Sequence, residues 1–118
     1  MDIGKWGERR AVRYLEANGF TVLESNFRCR LGEIDVVARE GGDLVFTEVK
    51  TRADLLFGLP CEAVNEQKQK QLTRVAEVYL SMHPRFAQGA EAVRPRFDVI
   101  EILLLGGRAW IRHIRDAF

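Results

Sequence analysis

Cysteine is scarce in this chain: only Cys29 and Cys61 occur among 118 residues. They lie far apart, with no CxxC pair and no neighbouring His pair. That argues against both a disulfide scaffold and a zinc site, and a reducing cytoplasm is the expected compartment. Long apolar runs are missing too. The longest candidate, residues 99–105, contains Glu101, so nothing reads as a membrane span. The first ten residues hold Asp2, Lys5, Glu8, Arg9 and Arg10, which predicts no secretion signal. Net charge is almost absent: 18 Lys and Arg against 17 Asp and Glu leave +1. Proteins that coat nucleic acid are usually far more basic. A nucleic-acid partner therefore requires basic side chains gathered on one face, while acidic residues held at a metal site would lower the total. Repeats, low-complexity tracts and linkers are lacking. Residues 1–118 read as a single domain, long enough to bury a core without disulfides or a structural metal.

Hydrophobic periodicity then orders the chain. Residues 4–18 read as a helix, with Ala11, Val12 and Leu15 on one stripe and Gly19 as the stop. Residues 20–27 read as a strand, 28–31 as a basic turn and 32–39 as a second strand. Gly41-Gly42-Asp43 is a hairpin turn leading to a third strand over 44–51. Residues 53–62 form a loop with Gly58 and Pro60. A long helix is expected over 65–82, N-capped by Asn65 and ended by Pro84. A loop over 87–95 precedes the most apolar run, 96–105, expected to be a central strand buried on both faces. Gly106-Gly107 turns the chain into a last strand over 109–114. Helix, three strands, helix, two strands is an α/β sandwich with a mixed sheet.

Charges fall where the core should be. Strand side chains alternate, so Glu33 and Asp35 share one face, and Glu48 and Lys50 continue the apolar face of Leu44 and Phe46. Glu8 begins the helical stripe of Ala11, Val12 and Leu15, and Lys68 lies one turn before Leu72. Taken singly, Glu8 and Lys68 read as solvated structural charges. Asp35, Glu48 and Lys50 together demand a common cause, since unpaired buried charge is expensive. If the four element ends converge, they form one cleft lined by Glu8, Asp35, Glu48, Lys50 and Lys68. Asp98 is expected to pair with a basic residue or hold a turn. His83 reads as an exposed helix-end residue and His113 as a packed strand residue. Trp6, Trp110, Tyr14 and Tyr79 read as core or edge aromatics.

Asp35 followed after a turn by Glu48-Val49-Lys50 resembles the PD-(D/E)xK nuclease superfamily, with Ile34 in place of the proline. Its neighbourhood is more specific. Gly7-Glu8, Asn26-Phe27-Arg28, Gly32-Glu33-Ile34-Asp35, Glu48-Val49-Lys50-Thr51-Arg52, Phe57-Gly58, Glu62-Ala63-Val64, Arg96-Phe97-Asp98-Val99, His113-Ile114 and Ala117-Phe118 occur in this order. That series closely resembles the YraN-type family of small bacterial proteins, grouped with Holliday-junction-resolvase-like endonucleases. The resemblance implies a restriction-endonuclease-like αβββαβ core. It also implies a magnesium or manganese site at Asp35, Glu48 and the Val49 carbonyl, with Glu8 reaching the metal directly or through water. Lys50 would orient or deprotonate the attacking water.

Magnesium prefers hard oxygen ligands and keeps several waters, which two carboxylates on adjacent strands would allow. Lys50 would act either as a charge stabiliser at phosphorus or as a general base. Arg28, Arg30, Arg52, Lys68 and Lys70 are the candidate contacts to a phosphate backbone, whereas Arg9, Arg10, Arg13 and Arg85 read as solvated surface charge. No helix-turn-helix, zinc-finger or RNA-recognition signature is present, so shape is expected to matter more than base sequence. The expected function is a metal-dependent DNA endonuclease acting on branched or structured DNA in recombination or repair. The alternative is a non-catalytic nucleic-acid-binding or partner-docking module on the same fold. A homodimer would suit paired strand cuts, and Ile111, Ile114 and Phe118 offer an apolar patch for it.

Overall fold

The computed structural model describes residues 2–53 and 64–118. Cys61, Phe57-Gly58, Glu62-Ala63 and most of the loop expected over 53–62 lie outside the described residues. The described elements are α1 (Ile3–Ala17), β1 (Thr21–Cys29), β2 (Gly32–Glu40), β3 (Asp43–Arg52), α2 (Glu66–Met82), a short 3-10 turn (Pro84–Phe86), β4 (Arg94–Leu105) and β5 (Arg108–Ile114). The strands form one mixed sheet in the order β1-β2-β3-β4-β5. The pairings are antiparallel except β3 with β4, which is parallel. This is the αβββαβ arrangement expected from the element order. Among the described residues no helix is long and apolar enough to cross a membrane.

Each sheet face carries one helix, and each layer buries its own core. Ala11 and Leu15 of α1 pack with Val36, Ala38, Val45, Ile100 and Ile102. Leu72, Val75, Ala76 and Tyr79 of α2 pack on the other face with Phe27, Ile34, Val37, Leu44 and Phe46. Ile34 and Val37 are three residues apart yet serve the same core, so the in-out alternation of β2 slips by one residue around Asp35. The helix ends obey local chemistry. Asp2, outside the helix expected over 4–18, caps α1 by accepting from the Lys5 N–H at 3.1 Å, and Asn65 caps α2 by accepting from the Lys68 N–H at 2.8 Å. Gly19, with φ at +88°, takes the left-handed turn after α1.

Several boundaries move. Arg28 and Cys29 belong to β1, paired with Glu33 and Gly32, so the basic turn shrinks to Arg30-Leu31, a two-residue hairpin connection. The loop expected over 87–95 ends earlier, because β4 starts at Arg94 and Pro95 lies in register with Leu44. Pairing with β5 begins only at Val99, so Pro95 has a single neighbouring strand and its missing N–H is tolerated. Burial of β4 on both faces holds for residues 98–102 and relaxes to half-buried over 103–105. His83 is half-buried rather than exposed, stacked on Tyr79 with ring centroids 4.1 Å apart. Phe118 stacks on Phe97 and Ile111 packs under α1, so this part of the apolar C-terminal end is engaged within the chain.

The start of β4 is tied down by charge. The Arg96 guanidinium is buried and reaches three carboxylates: Asp98 at 2.9 and 3.0 Å, Asp43 at 2.9 Å and Glu40 at 2.9 Å. Asp98 also accepts from the Asp116 N–H at 3.0 Å and lies 2.7 Å from His113 Nε2, whose Nδ1 is 3.0 Å from the Tyr14 hydroxyl. Burial alone would raise the Asp98 carboxyl. The hydrogen bonds from His113, Arg96 and the Asp116 backbone outweigh it and hold the group below the usual carboxylate range. The expected pairing of Asp98 with a basic residue is thus seen, and His113 and Tyr14 are its relay to α1. Removing one partner of a buried ion pair leaves the other uncompensated. Asp98→Ala should therefore lower unfolding free energy by about 3–5 kcal/mol, read from urea denaturation at neutral pH.

Candidate metal centre

The β2–β3 ladder runs from Glu40↔Asp43 to Val36↔Thr47, whereas β3 continues beside β4 as far as Arg52↔Leu103. Beyond Val36 the sheet therefore forks. In the fork the Asp35 Oδ2 accepts the Val49 N–H at 2.7 Å, a side chain standing in for a missing ladder partner. The N–H and C=O of one strand residue point to the same side, so the Val49 carbonyl opens into the same fork.

Three further acidic groups surround Asp35. Burial is the main influence on its carboxyl, and the Val49 hydrogen bond opposes it. Glu48, Glu8 and Glu33 add repulsion in that order, and the balance pushes Asp35 up to about 7. Glu48 is compensated from the other side. Its Oε1 lies 3.6 Å from Lys50 Nζ and 3.8 Å from Lys68 Nζ, its side chain only 11% exposed. Glu48 and Glu8 thus act on Asp35, and Lys50 and Lys68 on Glu48, so β2, β3, α1 and α2 each bring a charge to this end of the sheet.

Gly7 explains how α1 comes close enough. It is buried, and a Cβ added there would sit 1.8 Å from Thr51 Oγ1 and 3.0 Å from Thr51 Cβ. Without a side chain at this position the helix lies directly on the end of β3 and carries Glu8 to the fork. The Gly7-Glu8 pair of the sequence is one contact followed by one charge.

The donor chemistry of Asp35, Glu48 and the Val49 carbonyl is oxygen only, as a magnesium- or manganese-sized hard cation requires. Neighbouring carboxylates, one of them raised to about 7 by burial and the charges beside it, leave a place where positive charge is favoured. Among the described residues no group of three or more His, Cys, Asp or Glu side chains is already arranged to hold a metal ion. Glu8 acts on Asp35 through its charge.

The candidate phosphate contacts separate into two kinds. Lys68 and Lys70 line a groove along α2, Arg28 lines another beside α1, and Arg30 is exposed next to the β1–β2 turn. Of these, Arg28 pairs with Glu33 at 2.9 Å and Lys70 with Glu66 at 3.8 Å, both on open surface where such pairs are weak. Arg52 belongs to β3 itself and ends it half-buried, with Nε beneath the surface. Sequence reasoning missed the Asp35–Val49 bond, because a side chain capping a backbone amide where two strands part leaves no periodic signal.

A family model described as "Uncharacterised protein family UPF0102" matches residues 7–102, a span containing the fork, most of α1 and all of α2. A UPF0102 protein of Caldicellulosiruptor bescii is 45% identical over 118 residues, covering 98% of this chain and 96% of that relative. UPF0102 proteins of Caldanaerobacter subterraneus subsp. tengcongensis and Clostridium botulinum are 40% and 41% identical, covering 98% and 99% of this chain and 93% and 94% of theirs.

The raised Asp35 carboxyl has a thermodynamic consequence. Between the unfolded value near 3.8 and the folded value of about 7, the native state holds the extra proton. Stability therefore falls as pH rises through that window, by up to about 4 kcal/mol. Asp35→Asn should flatten the slope and exceed the parent in stability at pH 8 without metal, measured by denaturant midpoints at pH 4.5, 6 and 8.

Proposed function

Starting from the fact that the chain belongs to the uncharacterised protein family UPF0102, the YraN type, we propose that it is a divalent-cation-dependent endonuclease that hydrolyses phosphodiester bonds in structured DNA. The observation that carries this reading is the fork. Asp35 takes the Val49 N–H there at 2.7 Å, Glu48 lies near enough to repel the Asp35 carboxyl, and the Lys50 ammonium is 3.6 Å from Glu48. A stability role alone gives no reason to gather a buried acid, three acidic neighbours and two lysines at one sheet end.

Asp35, Glu48 and the Val49 carbonyl would hold the cation, with Glu8 at the rim. Bound there, a magnesium or manganese ion would polarise a phosphoryl oxygen and acidify a water. Asp35 would release its proton on binding the cation. Lys50, paired with Glu48, stabilises the charge that develops on the phosphoryl oxygens, and this pairing favours that role over general base. Lys68 holds a neighbouring phosphate, and α1 shields the fork from bulk water on its own face. The second reading is a non-catalytic nucleic-acid binder, and one observation favours it: no side-chain cluster of three metal donors stands ready among the described residues.

Purified protein should cut a four-way junction, flap or linear DNA in magnesium or manganese and not in EDTA. Lys50→Ala and Asp35→Ala should each lose at least about 100-fold in rate, the scale of a lost charge-stabilising group, while melting cooperatively. Full cleavage by either variant would refute this assignment. DNA binding without cleavage in any metal would favour the binding module.

A further inference from the structure

Next to the carboxylates lies a groove of about 610 Å³. The N-terminal half of α2 forms one wall, with Lys68, Lys70 and Arg74. Leu31, at the tip of the β1–β2 hairpin, forms the other. Lys68 belongs to both places, since its Nζ is 3.8 Å from Glu48 Oε1, so the groove opens onto the fork. Among the described residues no acidic side chain lines it.

Leu31 is out of place by composition. It is 45% exposed in a two-residue turn, where a polar residue would suit the setting better. Yet the tip is firmly held. Gln71 Nε2 donates to the Leu31 carbonyl at 3.0 Å, and Gly32, at φ +144°, lies so near that a Cβ there would sit 2.8 Å from the same Nε2. The tether across the groove fixes an apolar side chain in solvent. Arg30 precedes it directly and is exposed, while Lys68, Lys70 and Arg74 line the facing wall. Cations on either side of a fixed apolar projection complement a duplex whose phosphates are clamped while one base step opens.

We propose that Leu31 is a wedge that enters an unstacked step of branched DNA, with the phosphates on either side held by Arg30 and by Lys68, Lys70 and Arg74. The inference rests on the DNA assignment of the adjacent fork and adds the residue that tells an interrupted duplex from a continuous one. Opening a step costs least where pairing is already interrupted, so the wedge selects junctions, flaps and nicks over continuous duplex.

The test measures binding in EDTA, by fluorescence anisotropy on a four-way junction and on linear duplex of the same sequence. A 2-aminopurine beside the branch point reports unstacking. Leu31→Ala should weaken junction binding about tenfold, while linear duplex binding changes less than about twofold. The fluorescence rise seen with the parent should vanish in that variant and persist in Leu31→Met. An unchanged melting temperature shows that the exposed position leaves the fold intact. Equal junction preference in parent and Leu31→Ala, no fluorescence rise with the parent, or tighter binding to the RNA counterpart would each overturn the wedge. Branch-selective binding lost in Leu31→Ala, with no cleavage in any metal, upholds the wedge while the nuclease assignment fails. Metal-dependent cleavage with branch preference intact in Leu31→Ala has the opposite meaning.

Discussion

The parallel pairing of β3 with β4 is the constraint on which the remaining structure hangs. Its ladder runs from Asp43↔Arg94 to Arg52↔Leu103, the centre of the sheet, with a core on each face. Parallel neighbours cannot be joined by a tight turn, so the chain must leave the end of β3, cross the sheet and return to the start of β4. α2 lies in that crossover. Its first turns are thereby brought beside the end of β3, where Lys68 meets Glu48. The candidate site is a consequence of this connection as much as of the residues in it.

The two ends of the central strands manage charge in opposite ways. At the start of β4 every charge has a partner: Arg96 is shared by Asp98, Asp43 and Glu40, and Asp98 is tied further to His113 and Asp116. That end is a clamp, and it leaves little electrostatic demand unmet. At the far end of β3 acids outnumber cations around Asp35, which is pushed up to about 7 because burial and three carboxylates all oppose its ionisation. An end left frustrated in a chain that has satisfied the other end so fully is the physical contrast behind the functional reading. Glu101 resembles Asp35 in being buried and raised first by burial, but Arg112 and Arg52 partly offset it, and it sits on the other side of the sheet's central ladder from the fork.

Much of this was legible beforehand, because it follows from short-range chemistry. Apolar spacing marked both helices, Asn65 announced the start of α2, and Gly41-Gly42 the β2–β3 turn. The alternation of Leu44, Phe46, Glu48 and Lys50 placed an acid and an ammonium at the end of a buried face. The Glu8 stripe foretold that α1 would reach the same end. Errors fell where a local rule met a longer-range one. Pro95 reads as loop until its lack of a second neighbouring strand is known. His83 reads as exposed until Tyr79 is found beneath it.

By itself, then, the sequence determined which residues would be helix and strand, which faces would be buried, and which charges would sit at the ends of those faces. All of these are properties of periods of 3.6 and 2 and of single-residue propensities. Only the tertiary structure decided that β2 and β3 part at Val36, that Asp35 takes the Val49 amide in the gap, and that Gly7 allows α1 to lie against Thr51. It alone decided that Gln71 holds the tip of a distant hairpin. Each of these joins residues far apart in the chain through one close contact, and no local pattern of residue types encodes the distance between elements that have yet to pack.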